Sequence, residues 1–123
     1  MELSFYDQNG DAIAYCEDGE NIFLYDGQVV ACFDKDRQCV YAYSGRYLGR
    51  FSSGWVRDLD GDYLLFTSQA TGGPRKPNIM KPPRKAPKKS VPTRLAKHYA
   101  SCLIIKATAW SKLTAMDFFL KQP

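Results

Sequence analysis

The sequence predicts an all-β domain of four consecutive antiparallel β-hairpins, closed into a four-fold-like rosette or small barrel. Three observations predict it. Four X-Gly pairs, Asn9-Gly10, Asp26-Gly27, Ser44-Gly45 and Asp60-Gly61, recur every 16 to 18 residues. Each pair is flanked by β-branched and aromatic residues, which prefer strands. Positions at fixed offsets also match: Ile13, Val30, Leu48 and Leu64 lie three residues after the glycines, and Ala14, Ala31, Gly49 and Leu65 lie four after.

Asn-Gly or Asp-Gly between apolar runs is a strong hairpin signal, and read as a type I′ turn it needs φ > 0 at both central residues. Gly10, Gly27, Gly45 and Gly61 are therefore the expected structural turns. In chain order, Phe5-Tyr6 enters the first turn and Ile13-Ala14-Tyr15-Cys16 leaves it. Ile22-Phe23-Leu24-Tyr25 enters the second, and Val29-Val30-Ala31 leads out towards Phe33. Val40-Tyr41-Ala42-Tyr43 and Leu48-Gly49-Arg50-Phe51 form the third block; Trp55-Val56-Arg57 and Leu64-Leu65 form the fourth. Polar breaks separate the blocks: Glu17-Asp18-Gly19-Glu20, Asp34-Lys35-Asp36-Arg37 and Ser52-Ser53-Gly54. The result is about eight strands of ~5 residues, a normal length. A lone hairpin is marginal in water, so the blocks must bury one another's apolar faces, and closure removes sheet edges. The recurring small residue suits a place where equivalent strands crowd together. The expected organisation is a four-hairpin β domain over residues 1–70, a basic Pro-rich connector over 71–99 and an apolar docking segment over 100–123.

The segments 3–15, Gly27-Gln28-Val29-Val30-Ala31, 44–51 and Gly54-Trp55-Val56-Arg57-Asp58, followed by Gly72-Gly73-Pro74, resemble the bacterial four-fold β-flower family over residues 3–77. The resemblance implies a small hairpin rosette followed by a basic tail. It implies no activity.

Charge divides the chain sharply. Residues 1–70 hold five Lys/Arg against twelve Asp/Glu, a net charge of −7, whereas residues 71–123 hold twelve against one, a net charge of +11. Such asymmetry points to a basic tail with an acidic target, and the nearest target is the chain's own β domain. Pro77, Pro82, Pro87 and Pro92 recur every five residues. That density excludes helix and central strand and leaves an extended strip. Arg75, Lys76, Lys81, Arg84, Lys85, Lys88, Lys89, Arg94 and Lys97 are its candidate polyanion contacts, although it holds almost no aromatics to stack on bases.

Apolar character returns after the strip. Residues 101–107 read as an added strand, and Thr114 with Asp117 reads as a capping box for a short helix in which Met116, Phe119 and Leu120 share a face. Leu103, Ile105, Trp110 and Phe119 are the expected docking residues, in cis or swapped onto another chain.

No residue pattern reaches a catalytic, cofactor or metal site. Asp58, Asp60 and Asp62 lack the EF-hand order, because Gly61 interrupts them and no Glu follows Glu20. Cys16, Cys32, Cys39 and Cys102 lack metal-binding spacing and read as reduced thiols, and His98 is the only histidine. The start of the chain lacks a basic and apolar leader pattern, and no apolar run suits a membrane span, so a cytoplasmic location without a membrane partner is expected. The expected role is a non-catalytic interaction module, binding a protein partner or another copy of itself. The alternative is binding of nucleic acid or another polyanion through residues 75–97.

Overall fold

A computed structural model of the chain describes residues 2–34, 38–91 and 109–120. Eight strands follow one another: β1 (Leu3–Tyr6), β2 (Ala12–Cys16), β3 (Asn21–Leu24), β4 (Val29–Asp34), β5 (Cys39–Tyr41), β6 (Tyr47–Ser52), β7 (Trp55–Arg57) and β8 (Tyr63–Phe66). Each pairs antiparallel with the next, and β8 returns to β1 to close a barrel. A short helix, α1 (Ala115–Leu120), comes last. The all-β reading with four closed hairpins is the architecture found.

The four X-Gly turns differ from type I′. Gly10 N–H donates to Asp7 C=O at 2.9 Å, and Asp7 N–H donates to Asp11 C=O at 3.0 Å. The same pair of bonds recurs at Leu24–Gln28, Ala42–Arg46 and Asp58–Asp62. Only the glycine has positive φ (+84° to +93° at the four sites), while Asn9, Asp26, Ser44 and Asp60 do not. This is a three-residue loop, a type I turn closed by a left-handed glycine. Type I′ geometry appears elsewhere, at Ser53-Gly54 between β6 and β7, where φ is +52° and +82°.

The repeated offsets now have a physical meaning. In the first hairpin Phe5 faces Ala14 and Tyr6 faces Ala12, so Ile13 is the extra residue of a bulge. Val30, Leu48 and Leu64 are the extra residues of the other three hairpins. A bulge bends the strand and increases its twist, which helps a short sheet to close. In three of the four hairpins a small residue of the repeat faces a bulkier one, Phe5–Ala14, Ile22–Ala31 and Val40–Gly49, while in the fourth Val56 faces Leu65. Large beside small is how a narrow barrel fills its interior.

The buried face of α1 is Ala115, Phe118 and Phe119, with Met116 and Leu120 exposed. The expected face of Met116, Phe119 and Leu120 is therefore corrected. The reason lies at Gly49: a Cβ there would sit 3.1 Å from the Phe118 ring, so the helix inserts where the interior layer has no side chain. Thr114 caps the helix, its Oγ1 accepting from Asp117 N–H at 3.1 Å.

The outward face is apolar as well. Tyr15, Phe23 and Tyr25 form one aromatic cluster, Cys32, Cys39 and Tyr41 a second, and Tyr6, Trp55 and Phe66 a third.

Gly45→Val places a β-branched residue at φ +92°. The expected loss is about 2 kcal/mol, on the order of 10 °C in Tm for a domain of this size, read by thermal melts followed by circular dichroism.

Candidate functional site

The features that set this molecule apart from a plain barrel lie where the tail meets the ring. The tail leaves β8 through Thr67, whose N–H donates to Gly54 C=O at 2.9 Å. Trp55 Nε1 then donates to Thr71 C=O at 3.1 Å. Residues 74–91 carry neither helix nor strand, as their proline content dictates.

Two turn glycines serve as seats for this segment. Met80 N–H donates to Gly10 C=O at 2.9 Å, and a Cβ on Gly10 would lie 2.1 Å from Asn78 C=O. Lys89 N–H donates to Gly27 C=O at 2.9 Å, and a Cβ on Gly27 would lie 2.1 Å from Pro87 C=O. The seats are identical in form and nine residues apart along the tail. Between them Ala86 N–H donates to Tyr25 C=O at 2.8 Å. The tail backbone thus lies against the ring while most of its side chains are exposed.

Two lysines fasten the segment electrostatically. Lys85 bridges Glu2 and Glu17, and Lys88 pairs with Glu17. Lys85 Nζ also lies 4.6 Å from the Tyr15 ring centroid, and Lys88 Nζ lies 5.3 Å from that of Phe23. The hydrogen bonds from Lys88 and Lys85 hold the Glu17 carboxyl below its ordinary value, and those to Glu2 and Glu17 push Lys85 up. Half-exposed pairs of this kind contribute only ~0–1 kcal/mol each, so the backbone seats and the rings beneath matter at least as much.

A second anchor joins residues 109–111 to β8. Tyr63 N–H donates to Ala109 C=O at 3.0 Å, and Ser111 N–H donates to Tyr63 C=O at 2.6 Å. Trp110, half-buried, packs with ring centroids 5.5 Å from Trp55 and 6.2 Å from Phe66. Beside it, buried Asp58 takes N–H donors from Asp60 and Asp62, both at 3.0 Å, and the Ser111 hydroxyl. Asp7 does the same for its own turn, accepting from Asn9 and Asp11 N–H at 2.9 and 3.1 Å. The carboxylates of Asp58, Asp60 and Asp62 lie within 4.8 Å of one another, but the donors on Asp58 make this a turn joined to the tail anchor.

Gly10, Gly27, Gly45 and Gly61 all sit in turns with positive φ. Lys85 and Lys88 come together on Glu17, whereas Arg75, Lys76, Lys81, Arg84 and Lys89 are exposed and form no ion pair among the described residues. Phe119 is buried in the barrel core. Arg94, Lys97, Leu103 and Ile105, the strand expected over 101–107, and His98 and Cys102 lie outside the described residues. Cys16, Cys32 and Cys39 are buried, and burial pushes the Cys16 thiol up. Sequence reasoning missed Glu2, Glu17, Tyr15, Ser111 and Phe118. Pairing partners some 70 residues apart leave no local pattern, although the repetition of Asp7 at Asp58 was there to be read.

The model of the 4-fold beta flower protein family matches residues 3–119. The chain belongs to that family. The match continues beyond the hairpins through the tail and nearly to the end of α1. The match names no activity. No curated protein matches the chain, and no solved structure does. No described helix is long and apolar enough to cross a membrane.

Two outcomes are expected of this beta flower. Gly10→Ala sets a methyl against Asn78 C=O and is expected to lose protection of the Met80 amide in hydrogen exchange, whereas Gly72→Ala, with open space around it, leaves that amide protected. The second outcome concerns Asp18. Burial raises its carboxyl, but N–H donors from Asn21 and Glu20 and the Asn21 side chain outweigh that and hold it at about 2. The folded value lies below the unfolded one of ~3.9, so this stabilisation is complete above the ordinary aspartate range and fades as pH falls toward about 2. Urea unfolding of wild type is expected to weaken across that window, and Asp18→Asn is expected to remove part of the slope.

Proposed function

We propose that this beta flower is a non-catalytic interaction module, an acidic hairpin ring that carries its basic tail as a fixed outer layer and offers the composite surface to a protein partner or a second copy. The observation that carries this reading is the pair of identical seats at Gly10 and Gly27. Backbone docking through glycine seats holds the tail without consuming its side chains, which leaves Ile79, Met80 and Val91 about half exposed (45 %, 56 % and 45 %) on the outside. A surface of exposed apolar and cationic groups on a rigid frame suits recognition better than turnover. The hydroxyl and thiol that meet a carboxylate among the described residues, Ser111 on Asp58 and Cys16 on Asp18, belong to buried residues with no described histidine beside them, which favours a non-catalytic role.

The contacts described run within one chain. The same contacts made between two chains would give a swapped dimer, since a long extended connector reaches either way. Light scattering at low and high salt separates these arrangements. A mass above the monomer that survives 1 M salt, roughly three-fold shorter in Debye length than 0.1 M, supports self-association through apolar surface.

A second reading is supported by one observation: Arg75, Lys76, Lys81, Arg84 and Lys89 lack an acidic partner among the described residues. Cations without an acidic partner on an extended strip suit a polyanion such as nucleic acid, although Lys76 donates to Ala70 C=O. The triple change Lys81→Glu, Arg84→Glu and Lys89→Glu separates the readings. Under the first, gel-shift assays with a generic oligonucleotide show no binding by wild type. Under the second, wild type binds, the complex fades steeply with salt, and the variant does not bind.

A further inference from the structure

The barrel has two different ends. Helix α1 inserts at the end formed by the X-Gly turns, beside Asp7, Gln8 and Asn9. At the opposite end the breaks between blocks leave a cavity of about 250 Å³. Its walls are Leu3, Phe33 and Phe51, and its rim carries Asp18, Asp34 and Gln38. The cavity exceeds the engineered apolar cavity of about 150 Å³ that binds benzene.

The aromatic wall is built firmly. Phe33 and Phe51 pack with centroids 5.3 Å apart at 55°, and both touch Phe5, at 6.1 and 6.0 Å. Phe5 is 1 % exposed and backs both rings. The chemistry at the rim differs. Asp18 is exposed, and it accepts Glu20 N–H, Asn21 N–H and Asn21 Nδ2, each at 2.8 Å. Asn21 is held in turn by the Tyr43 hydroxyl. All these donors are neutral, so they orient the carboxylate without cancelling its charge. Lys88 of the tail pairs with Glu17, and Asp18 forms no ion pair among the described residues. An anchored carboxylate beside aromatic walls is the arrangement that selects an amine over a neutral or acidic molecule.

We propose that the open end of the barrel binds a small amphiphilic cation, an ammonium group on an apolar body, with the body packed against Phe33 and Phe51 and the ammonium at Asp18. The carboxylates at the rim, Asp18 and Asp34, draw such a ligand in. The site is separate from the tail surface assigned above to partner recognition, and neither depends on the other.

The test uses the full chain, titrated in nuclear magnetic resonance with three probes of one size: 2-phenylethylammonium, 2-phenylethanol and phenylacetate. The expected result is saturable shifts at the Leu3, Gly19 and Gln38 amides, with the ammonium binding roughly five-fold tighter than the alcohol and phenylacetate weakest. Asp18→Asn should bring the ammonium and the alcohol to parity. Leu3→Trp should fill the cavity and abolish binding. Phe51→Leu, which removes one aromatic wall with little change in packing, should weaken the ammonium several-fold, and it serves if Leu3→Trp does not fold. Absence of saturable shifts, equal binding of all three probes, or an affinity unchanged by Phe51→Leu would overturn the proposal.

Discussion

Both faces of this sheet are apolar, and the rest of the structure follows from that. In a closed barrel the inward side chains bury one another, but the outward ones meet water unless something covers them. Here the outward positions include Tyr15, Phe23, Tyr41, Trp55 and Phe66, all nearly inaccessible. The cover for two of the three outer clusters is described. Lys85 and Lys88 lie over Tyr15 and Phe23, and Trp110 lies over Trp55 and Phe66. The tail is therefore a layer of the fold. The beta flower resembles a sandwich wound into a circle, with α1 and the barrel interior as one core and the ring–tail interface as another.

The order of forces at that second core is informative. Opposite charges bring tail and ring together at high effective concentration, but each exposed pair adds little once formed. The specific part is steric. Gly10 and Gly27 let two backbones approach to a distance that any side chain would forbid, and the carbonyls freed by the hairpin turns become the acceptors for the tail. One residue type at one position thus shapes the turn and receives the tail.

Legibility followed range. The hairpins were readable from Gly10, Gly27, Gly45 and Gly61, because the need for a left-handed residue is decided within a few positions. The turn class was not, since types I and I′ differ in the φ of Asn9 or Asp26, residues that tolerate either sign. The helix near the end was readable from Thr114, yet its docked face was decided by the vacancy at Gly49, far away in sequence. Glu2 and Glu17 looked like any other acids of an acidic domain. The cavity was invisible, because Leu3, Phe33 and Phe51 belong to three different hairpins and meet only after closure.

The ring also has a seam. Every other pair of neighbouring strands shares at least two paired positions, but β8 meets β1 through Tyr6 and Phe66 alone. Trp110 lies against Phe66 at that junction, so a residue from far along the chain works as a clasp on a bracelet. Undo the clasp and the four links remain intact hairpins, while the circle loses its weakest join first. An opened ring then presents two free strand edges of matching register, and the nearest complement to either edge is the other edge of an identical opened ring.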